Sequence, residues 1–380
     1  MQQPETLLIK PPRDGRLDAL RGLCLLGMVL THLIEQGLAV PWVVREVGMH
    51  WLRFAAGGFV MTSGICIGFI HYRRALDPTR RINTYVSLLK RAGAVLLAHY
   101  FATTASLLLI PIHGWPLTNV STLLWQVLTF QTGYDLLLFY VFMLAISPVI
   151  IVLMRRAGLI AVLVISTCIF YVKYDNPYLM LWGVENHFPL LRWQWVFVTG
   201  MLVGAMIPRF DALSVRSKWT LFFITALAAL VLSIISAFER HGGLELSRFF
   251  TVQKLPLTIT ETLRYAALTI SAGVLVDRAW PMIGHRRVAG FLTTLGIQSL
   301  LLWIVHVPIV ANVVTLPWLV GLFIAITGVW IVAAIGLWIA RTWANRFPNA
   351  PRLGYLVPVV GTILIACVLV LLQSAPSISQ

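Results

Sequence analysis

The sequence predicts an all-α integral membrane protein, a helix bundle with about 10–11 transmembrane helices. Hydrophobic residues make up 59% of the chain and charged residues only 11%, whereas soluble domains are about half apolar and a quarter charged. Apolar runs of about 20 residues, long enough to cross a hydrocarbon core of roughly 30 Å, recur along the chain. The net charge of +15 comes from basic residues in short connectors, which is typical of membrane topology rather than of nucleic-acid binding.

The predicted organisation is a polar N-terminal segment at 1–17, one transmembrane domain at 18–373 and a short tail at 374–380. The basic N-terminal segment leads into a long apolar run without a small-residue cleavage site, so we expect no removable signal peptide. About eleven apolar runs are candidate spans. In chain order they cover residues 18–40, 54–72, 92–112, 134–154, 157–174, 193–208, 219–238, 257–277, 289–311, 316–340 and 354–373.

The distribution of lysine and arginine predicts the orientation of the bundle. Alternate connectors, all on one side of the membrane, carry about 21 of the 29 basic residues, and such an excess marks the cytoplasmic side. The N-terminus is therefore expected to be cytoplasmic. An odd number of spans would place the C-terminus outside.

The sequence favours neither a metal site nor a nucleophilic triad. Ser63 has a glycine neighbour but lacks the Gly-x-Ser-x-Gly turn of serine hydrolases. The histidines are dispersed and show no metal-ligand spacing. The cysteines all fall inside apolar runs, where we expect them to act as small packing residues: Cys24, Cys66, Cys168 and Cys367.

The first apolar run carries a stripe of ionisable side chains, Asp18, Arg21 and His32. A helix turns by about 100° per residue, so spacings of three and eleven residues place all three on one face. His32 is expected about 16 Å deeper in the membrane than Arg21, and Glu35 follows one turn later. Because such groups are costly in lipid, the stripe should face protein or a water-filled cavity. The alternative is a snorkelling Arg21 and a His32 that only packs between helices.

The segment RLDALRGLCLLGMVLTHL resembles the first helix of OpgC-type glucan succinyltransferases, which belong to the broader acyltransferase-3 superfamily of membrane acyltransferases. The shared pattern is Leu-Asp-x-x-Arg-Gly followed by a histidine. Later segments extend the resemblance over most of the chain. They are FVMTSGICIGFIHYRRA, LLKRAGAVLLAHY, YDLLLFYVFMLAISPVII, RWQWVFVTGMLVG, ETLRYAAL and LGIQSLLLWIVHVPIV.

The chain departs from the family pattern at three positions. Thr31 precedes His32 where such sequences often have aspartate, Ala267 stands where a histidine is expected, and Ile297 stands where an arginine is expected. These differences leave the acyl group and the acceptor open. They do not remove the resemblance to membrane acyltransferases.

The resemblance implies transfer of a succinyl or acetyl group from cytoplasmic acyl-CoA to a hydroxyl of a periplasmic or cell-surface glycan. It also implies a multi-pass protein of a bacterial inner membrane, with acyl-CoA as a substrate and no tightly bound cofactor. His32 is the candidate general base, because imidazole titrates near neutral pH. Arg21, supported by Asp18 at i, i+3, is the candidate contact to the donor at the cytoplasmic mouth.

A basic connector, HYRRALDPTRRINTYVSLLKR, is the candidate cradle for the coenzyme A phosphates. The planar fork of arginine suits phosphate oxygens. The alternative is that these cations only set topology and contact anionic lipids. The candidate donor-binding residues in this region are Arg73, Arg74, Arg80, Arg81 and Arg91.

Four further polar residues inside apolar runs are candidate site residues. Arg264 has Glu261 one turn before it, so the two could neutralise each other in the bundle or could orient a substrate oxygen. His99 and His306 match family segments, although a lone buried histidine more often packs between helices. Two rival functions remain open: a glycan or lipid transporter that uses the same polar face, and a structural subunit that binds a partner helix there.

Overall fold

The computed structural model describes residues 13–41, 54–109, 135–172, 190–241, 257–313 and 316–346. Within these ranges the regular secondary structure is helical and contains no strand. A π-helical turn at Gly68–Tyr72 follows the second helix. The α-helices are α1 Gly15–Glu35, α2 Phe54–Ile67, α3 Arg73–Leu76, α4 Pro78–Leu109, α5 Asp135–Arg156, α6 Gly158–Phe170, α7 Leu190–Asp211, α8 Val215–His241, α9 Ile259–Ile283, α10 Arg287–Ile297, α11 Ser299–Val313 and α12 Trp318–Arg346.

The all-α polytopic fold predicted from the sequence is confirmed. In the described part of the chain, seven helices are long and apolar enough to cross a membrane, or eight if one bent pair counts as a single span. The candidate span at 354–373 lies outside the described residues. The segment predicted at 157–174 forms only the short helix α6, of 13 residues, which at 1.5 Å per residue is too short to cross a bilayer alone.

The predicted span at 289–311 is not one helix. α10 and α11 meet at Gln298 with a bend of 80°. Both helices are apolar, so hydropathy alone cannot reveal the break. α10 is held by α1, because Gly22 and Gly296 bring the two backbones so close that a Cβ added at either would overlap a carbonyl oxygen of the other helix. α11 then runs beside α1 in the same direction, since Ser299 contacts Arg21 and the next two turns reach the level of His32.

Glycines also fix the packing of α2 against α7. Two pairs of glycines spaced by four residues face each other. One pair is Gly64 of α2 and Gly68 of the π-helical turn, and the other is Gly200 and Gly204 of α7. A Cβ at any of the four would overlap a backbone carbonyl group of the opposite helix. Small residues at this spacing let membrane helices approach closely. The Gly-x-x-x-Gly pair therefore sets the distance between α2 and α7.

An ionic network joins four helices at one end of the bundle. Arg16 of α1 contacts Asp14 at 2.8 Å, Asp211 of α7 at 2.9 Å and Asp277 of α9 at 2.5 Å. Lys218 of α8 lies 3.0 Å from the second oxygen of Asp277. These charges neutralise one another where the four helices meet. Asp277 is shared between two cations and is 8% exposed, so it is the centre of the network.

We expect Asp277→Asn to lower the free energy of unfolding by about 2 kcal/mol, because the buried Lys218 and Arg16 would each lose a charged partner. The measurement is the thermal unfolding midpoint of the detergent-solubilised protein. Asp211→Asn is the matched control, since that carboxylate is 39% exposed and an exposed pair contributes at most about 1 kcal/mol. Equal midpoints for the two variants would show that Asp277 is not the centre of the network.

Candidate active site

Asp18 lies at the junction of α1 and α10. Its backbone packs against Gly296, and its buried carboxylate forms two hydrogen bonds with Arg13, one of 2.8 Å from Nη2 to Oδ1 and a shorter one from Nε. The predicted support of Arg21 by Asp18 is therefore wrong. Asp18 and Arg21 are one helical turn apart, as predicted. The Asp18 carboxylate is bound instead by Arg13, which precedes α1.

Arg21 points to the start of α11. Its Nη2 donates a hydrogen bond of 2.6 Å to the Ser299 hydroxyl, and its Cζ lies 5.7 Å from the centre of the Phe59 ring. The buried Nε has no hydrogen-bond partner among the described residues. The guanidinium thus sits beside the N-terminus of α11, where the helix dipole is also positive. An anionic ligand would be favoured at this point.

His32 lies between α1 and α11, opposite a second histidine. The centres of the His32 and His306 rings are 5.3 Å apart. The side chain of His32 is 26% exposed, and its Nδ1 lies 3.6 Å from a carboxylate oxygen of Glu35. Two histidines far apart in sequence are therefore neighbours in the bundle. The stripe predicted from the sequence faces one element pair, with Asp18 against α10 and both Arg21 and His32 against α11.

The protonation of His306 follows from its contacts. The ring is fully buried, and Nδ1 lies 2.7 Å from the carbonyl oxygen of Trp303 and 3.1 Å from that of Leu302. Carbonyl oxygens only accept hydrogen bonds, so Nδ1 must carry the proton. In a neutral imidazole the other nitrogen then holds the lone pair. Nε2 of His306 is therefore the basic atom of this ring.

An aromatic layer lies between Arg21 and the histidine pair. It consists of Phe59, Tyr140 and Trp303, which come from α2, α5 and α11. Phe59 is stacked on Trp303 at 6.4 Å and meets Tyr140 edge-on at 5.9 Å. Trp303 in turn lies 5.0 Å from His306. The aromatic layer therefore links the surroundings of Arg21 to those of the histidine pair.

The basic connector forms a turn between α3 and α4 that is organised by Asp77. The N–H and the hydroxyl of Thr79 donate to its carboxylate at 2.9 and 2.7 Å, and these bonds hold the pKa of Asp77 below its ordinary value. Arg80 contacts the second oxygen at 3.1 Å. Asp77 thereby caps the start of α4, which begins with Pro78 and runs much longer than the predicted span at 92–112.

The remaining arginines of the predicted cradle differ in their surroundings. Arg81 donates to the carbonyl oxygen of Ala75 at 3.2 Å, and Arg73 lies 5.7 Å from the Phe69 ring. Arg74 is half-buried and Arg91 is exposed. Arg80 and Arg81 are thus occupied by contacts within the turn. The role of Arg73, Arg74 and Arg91 in donor binding stays a prediction.

Glu261 and Arg264 form a buried ion pair in α9. Their closest atoms are 3.6 Å apart, and the side chains are fully buried or nearly so. The Ser236 hydroxyl of α8 donates to Glu261 at 2.5 Å. This pairing favours the structural alternative for the two residues. Their role as substrate contacts stays a prediction.

Arg264 and His32 lie at similar depth in the bundle. Arg16 and Asp277 are in contact; His32 is about 24 Å from Arg16 along α1, and Arg264 is about 20 Å from Asp277 along α9. The two helices are antiparallel, because Leu20, four residues after Arg16, packs at Gly273, four residues before Asp277. His32 and Arg264 therefore lie on the same side of the contact between Arg16 and Asp277. Both side chains are thus far from the ionic network.

The family of the chain is decided by a match over most of its length. The family model for OpgC protein matches residues 13–346. The chain belongs to the OpgC family. Neither a curated protein nor a solved structure matches it. The OpgC region covers α1 to α12, so the stripe, the histidine pair, the aromatic layer and the basic turn all lie inside it.

Two other sequence-based expectations have different outcomes in this OpgC protein. His99 is completely buried on α4. This helix packs chiefly against α5, whereas the histidine pair lies between α1 and α11. A role of His99 in the site stays a prediction. Trp193 lies in the aromatic segment RWQWVFVTGMLVG, whose composition would suit a membrane interface, but its side chain is fully buried and lies 5.7 Å from the Tyr265 ring. Among the described residues, no group of three or more histidine, cysteine or acidic side chains could hold a metal ion.

Sequence reasoning on this OpgC protein missed three site residues: Ser299, Tyr140 and Trp303. Each is buried beside Arg21, Phe59 or His306. The only sequence signal was their position inside segments with family resemblance. Nothing in hydropathy distinguishes Tyr140 or Trp303 from ordinary aromatic residues of the core.

Proposed function

We propose that this protein is a membrane O-acyltransferase that moves a succinyl or acetyl group from cytoplasmic acyl-CoA to a hydroxyl of a periplasmic or cell-surface glycan. The observation that carries the proposal is the alignment of Arg21 and His32 on one face of α1, with His306 5.3 Å from His32 across the helix interface. A cation and a base that is paired with a second histidine thus lie on the same face of α1. Membership of the OpgC family supports a glucan-modifying reaction.

The base in this mechanism is His32. Its Nδ1 is turned toward Glu35, an arrangement that orients the ring and favours the imidazolium formed during transfer. The acceptor hydroxyl gives its proton to the imidazole as its oxygen attacks the thioester carbonyl carbon. A new C–O bond forms, the C–S bond breaks, and the departing thiolate of coenzyme A takes the proton back from the ring. His306 packs beside the His32 ring from α11.

The donor enters from the side of Arg21. The Nε of Arg21, which has no hydrogen-bond partner in the described part of the chain, and the N-terminus of α11 provide positive charge at this level. Arg73 and Arg74 after the π-helical turn, and Arg91 on α4, supply further contacts for phosphate oxygens. This direction fits a cytoplasmic N-terminus in a bacterial inner membrane. Acyl-CoA acts as a substrate rather than as a bound cofactor.

The proposal is tested with purified protein in liposomes, given radiolabelled succinyl-CoA or acetyl-CoA on one side and a glucan oligosaccharide on the other. We expect label to appear on the oligosaccharide by mass spectrometry, together with release of free coenzyme A. Empty liposomes correct for spontaneous hydrolysis of the thioester.

Two results would contradict the proposed function. Movement of oligosaccharide or lipid across the liposome without release of coenzyme A would indicate a transporter that uses the same polar face. Neither transfer nor transport, in a folded protein that copurifies with another membrane protein, would indicate a structural subunit.

A further inference from the structure

Two buried hydrogen-bond donors in the aromatic layer have no partner among the described residues. They are the indole Nε1–H of Trp303 and the phenolic O–H of Tyr140. The two residues are only 7% and 9% exposed. A buried donor without an acceptor costs free energy, and most native proteins avoid it. Two such donors in one layer indicate a role that requires them.

Their position connects them to the histidine pair. Both rings contact Phe59, at 6.4 Å and 5.9 Å between ring centres. Trp303 lies three residues before His306 on α11, and the two rings are 5.0 Å apart. His306 is in turn the neighbour of His32. Trp303 is therefore linked to the proposed base, His32, through His306, and Tyr140 joins the same cluster through Phe59.

Of the polar groups beside the layer, the Arg21 guanidinium can only donate, whereas the Ser63 hydroxyl can donate and accept. The Nε–H of Arg21 has no described partner either. Ser63 is near the Tyr140 hydroxyl, outside hydrogen-bond geometry, and gives its own proton to the carbonyl oxygen of Phe59 at 2.9 Å. Phe59 itself offers only an apolar ring. A ligand group that fits this surface must accept hydrogen bonds while the rest of it packs on aromatic carbon.

We propose that Trp303 and Tyr140 donate hydrogen bonds to the carbonyl oxygen of the acyl group while it is transferred. This inference rests on the acyltransferase function proposed above and extends it to the atoms that bind the reacting carbonyl. When the acceptor oxygen attacks, the electron pair of the C=O double bond moves to that oxygen. The two donors stabilise the negative charge until the C–S bond breaks and the double bond re-forms. Donors fixed in a site without water are effective in this task.

The variants that test this are Tyr140→Phe and Trp303→Phe, which remove the donor and keep an aromatic ring. We expect each to lower kcat by about 100-fold, the effect found for single donors to an oxyanion, with a much smaller change in KM for acyl-CoA. Tyr85→Phe and Trp219→Phe are the matched controls. The Tyr85 hydroxyl is also buried and without a described partner, but it lies on α4, and Trp219 is 38% exposed on α8.

The outcomes separate this inference from the proposed function. A wild-type protein that transfers acyl groups, with Tyr140→Phe and Trp303→Phe as active as their controls, would overturn the inference and leave the function standing. A wild-type protein without acyl transfer would overturn both.

A second measurement uses the unaltered protein and so does not depend on the folding of any variant. It compares the affinities of two unreactive coenzyme A analogues, a ketone with CH₂ in place of sulfur and a thioether that lacks the carbonyl group. We expect the ketone to bind at least about 10-fold more tightly, because only it can accept the two hydrogen bonds. Equal affinities would overturn the inference.

Discussion

We expect His32→Ala to lower acyl-transfer turnover by about 10²–10⁴-fold, the usual contribution of a positioned general base. His32 is the half-exposed member of a histidine pair, and its Nδ1 is turned toward Glu35. The variant leaves a smaller side chain at a position that is open on one side, so the bundle should stay folded. The measurements are the rate of label transfer from acyl-CoA to oligosaccharide and the thermal unfolding midpoint.

The control for this variant is His285→Ala, because His285 is exposed in the short connector between α9 and α10. It should transfer acyl groups at the wild-type rate. His306→Ala separates the two members of the pair. If His306→Ala inactivates a folded protein while His32→Ala retains normal turnover, the base has been assigned to the wrong ring.

The second large effect is expected for Gly64→Ala, which should lower the free energy of unfolding by about 3 kcal/mol. The added Cβ would overlap the carbonyl oxygen of Phe197, and backbone on both sides leaves no flexible side chain that can move away. α2 and α7 must then separate, and their contacts at Gly68, Gly200 and Gly204 weaken together. The unfolding midpoint and the yield of monodisperse protein measure the effect.

Gly93→Ala is the matched control for this change. Gly93 lies inside α4 and is exposed, and a Cβ there meets nothing within 4 Å. The same substitution should therefore stabilise the helix by about 0.5–1 kcal/mol. A Gly64→Ala protein as stable as Gly93→Ala would mean that α2 and α7 are not in tight contact at this point.

The polar face of α1 could be predicted from the sequence, because a regular helix fixes the angle between Asp18, Arg21 and His32. What lies opposite that face could not. The 80° break at Gln298 divides a run that is apolar throughout, and hydropathy carries no information on direction. Only after the break do Ser299 and His306 come to face Arg21 and His32.

Contacts between distant charges were equally inaccessible. In the sequence, Arg16 and Lys218 contribute only to the charge distribution that predicts membrane orientation. Both contact Asp277, and this depends on how four helix ends assemble. Arg13 likewise competes with Arg21 for Asp18 from outside the helix. Local periodicity places a side chain on a face, whereas its partner is chosen by tertiary packing.

The π-helical turn at Gly68–Tyr72 separates two parts of one span with different tasks. Gly64 before the turn and Gly68 at its start pack against α7, and Arg73 and Arg74 follow the turn. A π-turn holds one residue more than a regular turn, so it sets the angle between the anchored part and the arginines. A chain one residue shorter in this turn would keep the contact of Gly64 with α7. It would rotate both guanidinium groups by about 100° around the helix axis. The direction in which Arg73 and Arg74 point is thus encoded in the length of one helical turn.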